Sequence, residues 1–158
     1  MNDNSPVFTS GASFSADENQ SSINTVVSSD ADGDDVTYSI SGSEIAIDSS
    51  SGLITFVSDP DYEAKTSYTA TVTSSDGTNS TTQDITVSIN NLNDNSPIFT
   101  SDTTFSAAEN QTAIGTAAGT DADGDSISFS VSGSELAITS AGVITFASAP
   151  NYETKDSY

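Results

Sequence analysis

Apolar and polar residues alternate along short stretches of the chain, and glycine, proline and Asp-Gly positions separate these stretches. An alternation with a period of two is typical of half-buried β-strands, and no segment keeps a helical period. The predicted strands are residues 36–40, 45–47, 68–72, 85–89, 127–131 and 143–146. Short strands at this density predict an all-β fold, a Greek-key, immunoglobulin-like sandwich of about seven strands.

The second half of the chain repeats the first. The sequence NDNSP occurs at residues 2–6 and again at 93–97, and residues 2–47 are identical to residues 93–138 at 28 of 46 positions. Identity at this level is far beyond chance, so the chain is a tandem array of one repeat. Each repeat in such an array contacts only its neighbours, so the neighbouring repeats of the same chain are its expected partners.

We expect the domain boundary close to the second NDNSP sequence. The first repeat, with its linker, is predicted over residues 1–95 and the second over residues 96–158. The second repeat has no counterpart of residues 69–92, so it is predicted to be truncated, to lack its last strands and to expose unpaired sheet edges.

The composition excludes several classes of function. Acidic residues number 23 against 2 lysine or arginine residues, for a net charge of −21, and the chain contains no histidine, cysteine or tryptophan. So acidic a chain is a poor partner for nucleic acids and anionic membranes, and it has no residues for disulfides, zinc sites or thiol catalysis. No apolar run approaches the ~20 residues of a membrane span, so this segment is not expected to insert into a membrane.

The apolar content is low for a folded protein. Leucine, isoleucine, valine and phenylalanine make up 31 of 158 residues, which together with the charge is close to the composition of disordered chains. The strand pattern and the repeat favour a folded protein whose charge is offset by something outside the chain. Aromatic residues recur at equivalent positions and are predicted to lie in the core: Phe8, Phe14, Phe56 and Tyr62, with Phe99, Phe105, Phe146 and Tyr152.

The carboxylates recur just outside the predicted strands. In the first copy they lie in the sequences ADEN, DADGD, DYE and SSDG, and in the second copy in AEN, DADGD and NYE. Hard divalent cations such as Ca²⁺ prefer six to eight oxygen ligands from carboxylates, amides, backbone carbonyls and water, which loops of this kind offer. Assembled without a counter-ion, such carboxylates repel one another by ~1 to 4 kcal/mol per pair at about 4 Å.

Together with the linker sequence NLNDNSP, these motifs resemble those of the cadherin repeat, in which PEN-like, DRE-like, DxNDNxP, DxD and AxD motifs occur. The resemblance covers the whole chain, and DADGD followed by an alternating strand looks like the cadherin-like repeats of large bacterial extracellular proteins. It implies an extracellular or cell-surface protein without enzymatic activity. In such a protein, calcium-binding repeats form a Ca²⁺-rigidified stalk or adhesion region.

Carried over position by position, the resemblance implies about three Ca²⁺ ions at the junction of the two repeats. The implied ligands of this junction are Glu18, Asp61, Glu63, Asn91, the carbonyl of Leu92, Asn93, Asp94, the carbonyl of Asn95, Asp121 and Asp123. The third ion also takes a residue equivalent to Asp76, which the second copy lacks, so its site is expected to be incomplete. The implied half-sites are Asn2, Asn4, Asp30, Asp32 and Asp76 at the N-terminal end, and Glu109 and Glu153 at the C-terminal end.

The chain departs from the family pattern at several positions. Asn91 stands where the linker has an aspartate, which removes a charge from the second ion site, and Asn151 stands at the position equivalent to Asp61. The short DADGD loop leaves the family's asparagine carbonyl ligand without a clear counterpart. Asp34 or Asp125 takes its place, or no residue does.

Plainer interpretations compete with the calcium sites. Each DADGD sequence is also an ordinary solvated turn, since Asp and Gly favour turns. An EF-hand is excluded because Ser41 or Ser132 occupies its last ligand position, and a glycosidase pair such as Asp61 and Glu63 has no tryptophan platform beside it. For function, the alternative to a stalk is direct recognition, either homophilic contact with identical repeats on another molecule or polysaccharide binding.

Overall fold

Every regular element that the structure describes in residues 2–158 is a β-strand, as the alternation predicts. The structure is a computed structural model. It divides into two units: unit 1 ends at Leu92, and unit 2 comprises Asn93–Tyr158. Within the described residues, no helix is long and apolar enough to cross a membrane.

The strands of unit 1 form two sheets and a short ladder. They are β1 (Val7–Phe8), β2 (Ser13–Asp17), β3 (Ser22–Thr25), β4 (Ser28–Ser29), β5 (Thr37–Ile40), β6 (Ile45–Ile47), β7 (Leu53–Phe56), β8 (Ser67–Ser75) and β9 (Ser80–Asn90). One sheet has four strands in the order β2-β9-β8-β5, the other has three in the order β3-β7-β6, and β1 pairs with β4. All pairs are antiparallel except β2 with β9, which is parallel.

The two sheets of unit 1 enclose one hydrophobic core. Buried side chains from both sheets contribute to it: Ala16, Tyr38, Ile45, Ile54, Phe56, Val72, Ile85, Val87 and Ile89. The partly buried Phe8, Phe14 and Tyr62 pack against these residues, so the predicted core positions of unit 1 are confirmed. Unit 1 is therefore an immunoglobulin-like β-sandwich, the fold class that the sequence predicts.

The longest strands, β8 and β9, form a hairpin of nine residue pairs. Its turn is held by Asp76, whose Oδ1 accepts hydrogen bonds from the backbone N–H groups of Thr78 at 2.7 Å and Asn79 at 2.6 Å. The outer strands of that sheet, β2 and β5, pair only with this hairpin. The hairpin therefore holds the four-stranded sheet together.

Unit 2 has fewer strands than unit 1. They are β10 (Ile98–Phe99), β11 (Ala113–Thr116), β12 (Gly119–Thr120), β13 (Leu136–Ile138) and β14 (Val143–Phe146), with β11-β14-β13 in one sheet and β10 paired with β12. Residues 127–131 are not a strand, so that prediction is wrong. The equivalent strand of unit 1, β5, pairs only with β8, and residues 93–158 contain no counterpart of β8 to pair with.

The face of unit 2 that β8 and β9 cover in unit 1 is open. Phe99 is 73% exposed, Phe105 40% and Tyr152 64%, and all three line a cleft of about 730 Å³. The predicted core positions are wrong for these three residues because their packing partners have no counterpart within residues 93–158. Phe146 is half-buried, with its ring centroid 5.0 Å from that of Tyr158.

Each unit needs a glycine where the chain passes close to a backbone carbonyl. Gly52 has a φ of +71°, and a Cβ built there would lie 2.2 Å from the carbonyl oxygen of Val26. Its counterpart Gly142 has a φ of +86°, and a Cβ there would lie 2.2 Å from the carbonyl oxygen of Ala117. A side chain would both collide and strain the backbone, so both copies keep glycine.

A small polar network lies inside the core of unit 1. The hydroxyl of Tyr38 accepts hydrogen bonds from the backbone N–H of Ser28 at 2.8 Å and from its hydroxyl at 3.1 Å. The hydroxyl oxygens of Ser28 and Ser74 are 2.6 Å apart. Ser28 and Ser74 are buried, so these bonds offset the cost of removing their polar groups from water.

Unit 2 replaces this network with apolar groups. Gly119 stands at the position of Ser28 and Phe129 at the position of Tyr38. A Cβ on Gly119 would lie 3.1 Å from Cδ1 of Ile127, a residue that is valine in the first copy. The extra methyl group of Ile127 thus occupies space beside Gly119. The replacements at the positions of Ser28, Val36 and Tyr38 are therefore compatible with one another.

The Tyr38 network predicts a specific cost for losing one hydroxyl. Tyr38→Phe leaves the buried N–H of Ser28 without its acceptor, so we expect the free energy of unfolding to fall by about 1–3 kcal/mol. Urea unfolding followed by circular dichroism measures this fall. Tyr68→Phe removes a hydroxyl from a neighbouring strand and is the matched control; an equal loss in both variants would contradict a role for the network.

The loop after β6 is closed by one carboxylate oxygen. Oδ1 of Asp48 accepts hydrogen bonds from the N–H and hydroxyl of Ser51, both at 2.8 Å, and from those of Ser50 at 3.2 and 3.1 Å. The N–H of Ser51 contributes most to stabilising the charged form, so the pKa of Asp48 is lowered from 3.8 to about 2.

Stability is therefore expected to depend on pH through Asp48. Because its pKa is lower in the folded chain, Asp48 stabilises the fold above its unfolded pKa, and this contribution is lost as the pH falls from 3.8 through about 2. Asp48→Asn keeps an acceptor oxygen but does not titrate, so melting temperatures over this range should fall less steeply than in the wild type. Asp59→Asn makes the same charge change outside the loop; an equal effect there would refute the assignment to Asp48.

Candidate metal centres

Three carboxylates meet at the end of unit 1 that carries its last residue. Glu18, Asp61 and Glu63 each place a carboxylate oxygen within 4.8 Å of the others, and we name this group the exit cluster. Glu18 is only 2% exposed. Its Oε2 accepts the backbone N–H of Tyr62 and its Oε1 accepts that of Leu92, both at 2.8 Å, so the side chain ties the β2 end to two other segments.

A short turn presents the other two carboxylates of the exit cluster. The backbone N–H of Lys65 donates to the carbonyl of Asp61 at 2.9 Å, and that of Ala64 donates to Oδ1 of Asp61 at 3.1 Å. Pro60, before the turn, has no N–H to donate, and its carbonyl accepts the N–H of Asn19 at 2.9 Å. The turn at residues 61–65 is thus attached to the loop that carries Glu18.

At the opposite end of unit 1 the DADGD loop forms a second group, which we name entry cluster 1. Asp30, Asp32 and Asp34 bring carboxylate oxygens within 4.8 Å of one another. Oδ1 of Asp30 accepts the backbone N–H of Asp32 at 2.8 Å. Oδ2 of Asp30 is buried and has no hydrogen-bond partner, as expected of an oxygen that binds a cation.

The N-terminal segment is fastened to entry cluster 1 through Asp32. Oδ2 of Asp32 accepts the backbone N–H groups of Asp3 and Asn4, each at 2.9 Å, and Oδ1 accepts the side-chain amide of Asn4 at 2.9 Å. These bonds favour the charged carboxylate, the N–H of Asn4 most, and lower the pKa of Asp32. The predicted ligands Asn4 and Asp32 therefore meet.

Asn79 is a residue of this end that the sequence did not predict. Its amide nitrogen donates to Oδ1 of Asn2 at 3.0 Å and to the carbonyl of Asn4 at 2.8 Å. Its backbone N–H is the main cause of the lowered pKa of Asp76. The sequence signal that could have identified Asn79 is the turn at residues 76–79, in which the Asp76 side chain accepts hydrogen bonds from the backbone N–H groups that follow it.

Unit 2 repeats the entry arrangement, and we name Asp121, Asp123 and Asp125 entry cluster 2; their oxygens lie within 4.8 Å of one another. Asn95 donates its backbone N–H to Oδ2 of Asp123 at 2.8 Å and its amide to Oδ1 at 2.9 Å, as Asn4 does to Asp32 in unit 1. The amide of Asn93 donates to Oδ2 of Asp125. Asp34 and Asp125, the candidate replacements for the family's asparagine carbonyl ligand, lie in the two entry clusters.

The C-terminal half-site is poorer in carboxylates. Oε2 of Glu109 accepts the backbone N–H of Tyr152 at 3.1 Å, which repeats the bond of Glu18, but Glu109 is exposed. At the position equivalent to Asp61, Oδ1 of Asn151 accepts the N–H of Glu153 at 3.0 Å. In residues 2–158, no group of three acidic side chains includes Glu109 or Glu153.

Within each unit, the structure brings several of the predicted junction residues together. Glu18, Asp61, Glu63 and Leu92 meet in unit 1, where Asn91 follows β9. In unit 2, Asn93 bonds Asp125, Asn95 bonds Asp123 and Asp94, and Asp121 accepts the N–H of Asp123 at 3.0 Å. That all of them together hold about three Ca²⁺ ions remains a prediction.

Both basic side chains of the protein are engaged away from these clusters. Nζ of Lys65 lies 2.6 and 2.7 Å from the two carboxylate oxygens of Glu44, and Nζ of Lys155 lies 2.7 and 2.6 Å from those of Glu135. The three clusters therefore contain only oxygen ligands and negative charge. This donor set fits Ca²⁺ and offers no nitrogen or sulfur to softer metals.

The chain is similar to known proteins in sequence and in fold. No protein-family model matches it. Protocadherin Fat 4 of Mus musculus is 33% identical over 141 residues, which is 78% of this chain and 3% of that protein. The human Protocadherin-24 EC1-2 structure matches with a TM-score of 0.83 at 23% identity, covering 98% of this chain and 82% of that chain. The chain is made of cadherin-type repeats. The human Desmocollin-1 ectodomain shares the fold with a TM-score of 0.74 at 23% identity, over 98% of this chain and 36% of that one.

The predicted cadherin repeat is thereby confirmed, whereas its bacterial type receives no support, since these relatives come from mouse and human. The chain spans only 3% and 7% of the lengths of two mouse relatives that it matches. The comparison therefore concerns the repeat, and the activities of such long proteins do not carry over from it.

Proposed function

We propose that this chain is a calcium-binding extracellular segment, in which Ca²⁺ bound at the ends of the cadherin-type repeats stiffens a stalk or adhesion region at a cell surface. The observation that carries the proposal is the set of carboxylate clusters in a chain whose two basic side chains are both bound elsewhere. Because no cationic side chain of residues 2–158 lies at the clusters, their charge is neutralised by an external cation in this proposal.

The energetics favour a divalent ion over water alone. Like charges about 4 Å apart repel by ~4 kcal/mol at the effective dielectric constant of a protein surface, and a Ca²⁺ ion replaces this repulsion with attraction. The buried, unpartnered Oδ2 of Asp30 supports a ligand role, since a buried oxygen without a partner is costly. The residues that would hold Ca²⁺ are those of the exit cluster and the two entry clusters.

The sequence resemblance, rather than the geometry of either unit, extends this proposal to a junction site. In it the implied ligands Glu18, Asp61, Glu63 and residues 91–95 act together with Asp121 and Asp123 on about three ions. Shared ions restrict the motion of neighbouring repeats, and their removal restores flexibility. The proposed location is extracellular, which the Desmocollin-1 match supports because that structure is an ectodomain.

Direct recognition is the second candidate, and homophilic contact is favoured over polysaccharide binding. One solved relative is a cis-dimer of Protocadherin gammaB7, so repeats of this fold associate with one another in that protein. Sedimentation of this chain at increasing concentration in Ca²⁺ separates the two functions, because a stalk remains monomeric whereas a homophilic module associates. No catalytic role is proposed.

Calcium is expected to stabilise the chain. A ligand that binds only the folded state adds ~2.7 kcal/mol at about 100-fold excess over its Kd, so the melting temperature should be clearly higher in millimolar Ca²⁺ than in EDTA. Glu63→Gln should reduce this rise because it removes a charge from the exit cluster. Circular dichroism during heating measures both.

Glu153→Gln is the matched control, because it makes the same change at the equivalent position of unit 2, where no three-carboxylate group includes it. We expect it to keep most of the calcium-dependent rise. Identical melting in EDTA and in Ca²⁺ would show that the clusters are ordinary surface charge and would remove the calcium proposal.

A further inference from the structure

The two lysines of this chain are used in the same way. Lys65 bonds both carboxylate oxygens of Glu44 and lies 4.2 Å from the ring centroid of Tyr68. Lys155 bonds both oxygens of Glu135 and lies 4.4 Å from the ring centroid of Tyr158. A chain with 23 acidic residues has only 2 basic ones, and both form this arrangement, which we name the lysine clamp.

The clamp joins the turn at residues 61–65, which carries Asp61 and Glu63, to the rest of the sandwich. The backbone N–H of Lys65 donates to the carbonyl of Asp61 at 2.9 Å, so the lysine closes the turn that carries Asp61 and Glu63. At the other end, the carbonyl of Glu44 accepts the N–H of Val57 at 2.9 Å. The clamp therefore connects residues 61–65 to the chain segments at the starts of β6 and β8 and after β7.

Neither stability nor charge neutralisation accounts for the clamp. The side chains of Lys65 and Glu44 are 42% and 56% exposed, and ion pairs this exposed contribute little to stability. Lys65 is only two residues from Glu63, yet both hydrogen bonds of its ammonium go to Glu44. The cation is thus held outside the exit cluster.

We propose that Lys65 is a positioning residue for calcium binding: clamped to Glu44 and Tyr68, it fixes the turn so that Asp61 and Glu63 converge with Glu18. The inference rests on the proposed calcium binding. The clamp orders the turn before an ion arrives, so less conformational entropy is lost on binding. Glu44 acts with Lys65 from outside the ligand set, as residues beyond the first ligands do in metal sites.

The direction in which Lys65→Met changes the Ca²⁺ affinity distinguishes a positioning role of Lys65 from an effect of its charge alone. Lys65→Met removes a positive charge near a cation site, and an effect of charge alone would strengthen Ca²⁺ binding. Loss of positioning weakens it instead, by ~10-fold, the lower end of the range found for residues that support metal ligands. Methionine keeps an apolar stem against Tyr68, so the substitution mainly removes the ammonium.

The experiment is a Ca²⁺ titration of the full chain, followed by the backbone amide resonances of Tyr62 and Glu63, which report on the exit cluster. We expect weaker binding in Lys65→Met and recovery in Lys65→Arg, because arginine also pairs with a carboxylate through two bonds. Lys155→Met removes the same charge from the equivalent clamp in unit 2. It should leave the affinity at Tyr62 and Glu63 within about two-fold of the wild type.

A second readout needs no calcium. In EDTA, hydrogen exchange of the Tyr62 amide, which donates to Glu18, should be faster in Lys65→Met than in the wild type. The melting temperature in EDTA should change little, since the pair is exposed.

Equal or tighter Ca²⁺ binding in Lys65→Met, with unchanged exchange at Tyr62, would overturn the inference. A large fall in its melting temperature in EDTA would also overturn it, since Lys65 would then be a general structural residue. If the wild type itself binds no Ca²⁺, the proposed function fails. Faster exchange at Tyr62 in the variant would still show that the clamp orders the turn.

Discussion

The backbone pairing of the β8–β9 hairpin is the interaction on which unit 1 depends. At about 3.4 Å per residue, a strand of eleven residues spans ~37 Å, which is enough to connect the two ends of one sandwich. Its turn supplies Asp76 and Asn79 to the N-terminal segment, and the residue Leu92 beyond its far end bonds Glu18. The same hairpin holds β2 and β5 in place and contributes three of the most buried side chains, Val72, Ile85 and Val87. One continuous element therefore contributes hydrogen bonds at both ends of unit 1, beside each of its candidate metal centres.

Unit 2 shows what the alternation of residues can and cannot predict. Residues 127–131 alternate as clearly as residues 36–40, yet only the latter contain a strand, because a strand exists only when another strand pairs with it. Burial follows the same rule: Phe99 is 73% exposed, whereas its counterpart Phe8 packs against a core. The sequence predicted the fold class and four of the nine strands of unit 1, β5, β6, β8 and β9, because there local pattern and tertiary partners agree.

The contacts of the candidate sites were predictable where the same motifs recur in both repeats. The same hydrogen-bonding arrangement joins Asn4 to Asp32 and Asn95 to Asp123. The repeated NDNSP and DADGD sequences indicate this arrangement in both copies. Asn79 was missed because the bonds of its side-chain amide to Asn2 and Asn4 join residues more than seventy positions apart, which come together only in the folded chain. The unpartnered oxygen of Asp30 and the pairing of Lys65 with Glu44 likewise depend on burial and distance, which spacing does not reveal. Together with the carboxylate clusters, these contacts show that hydrogen bonds and an ion pair with surrounding residues hold the ligand-bearing loops in shape.

The differing cores of the two repeats have a consequence for synthesis and folding. Neighbouring repeats of high identity are prone to exchange segments and to form a mixed domain. If the segment carrying Phe129 entered unit 1, the N–H of Ser28 would lose its acceptor. This loss disfavours a mixed domain, although the two repeats are identical at 28 of 46 positions in this region.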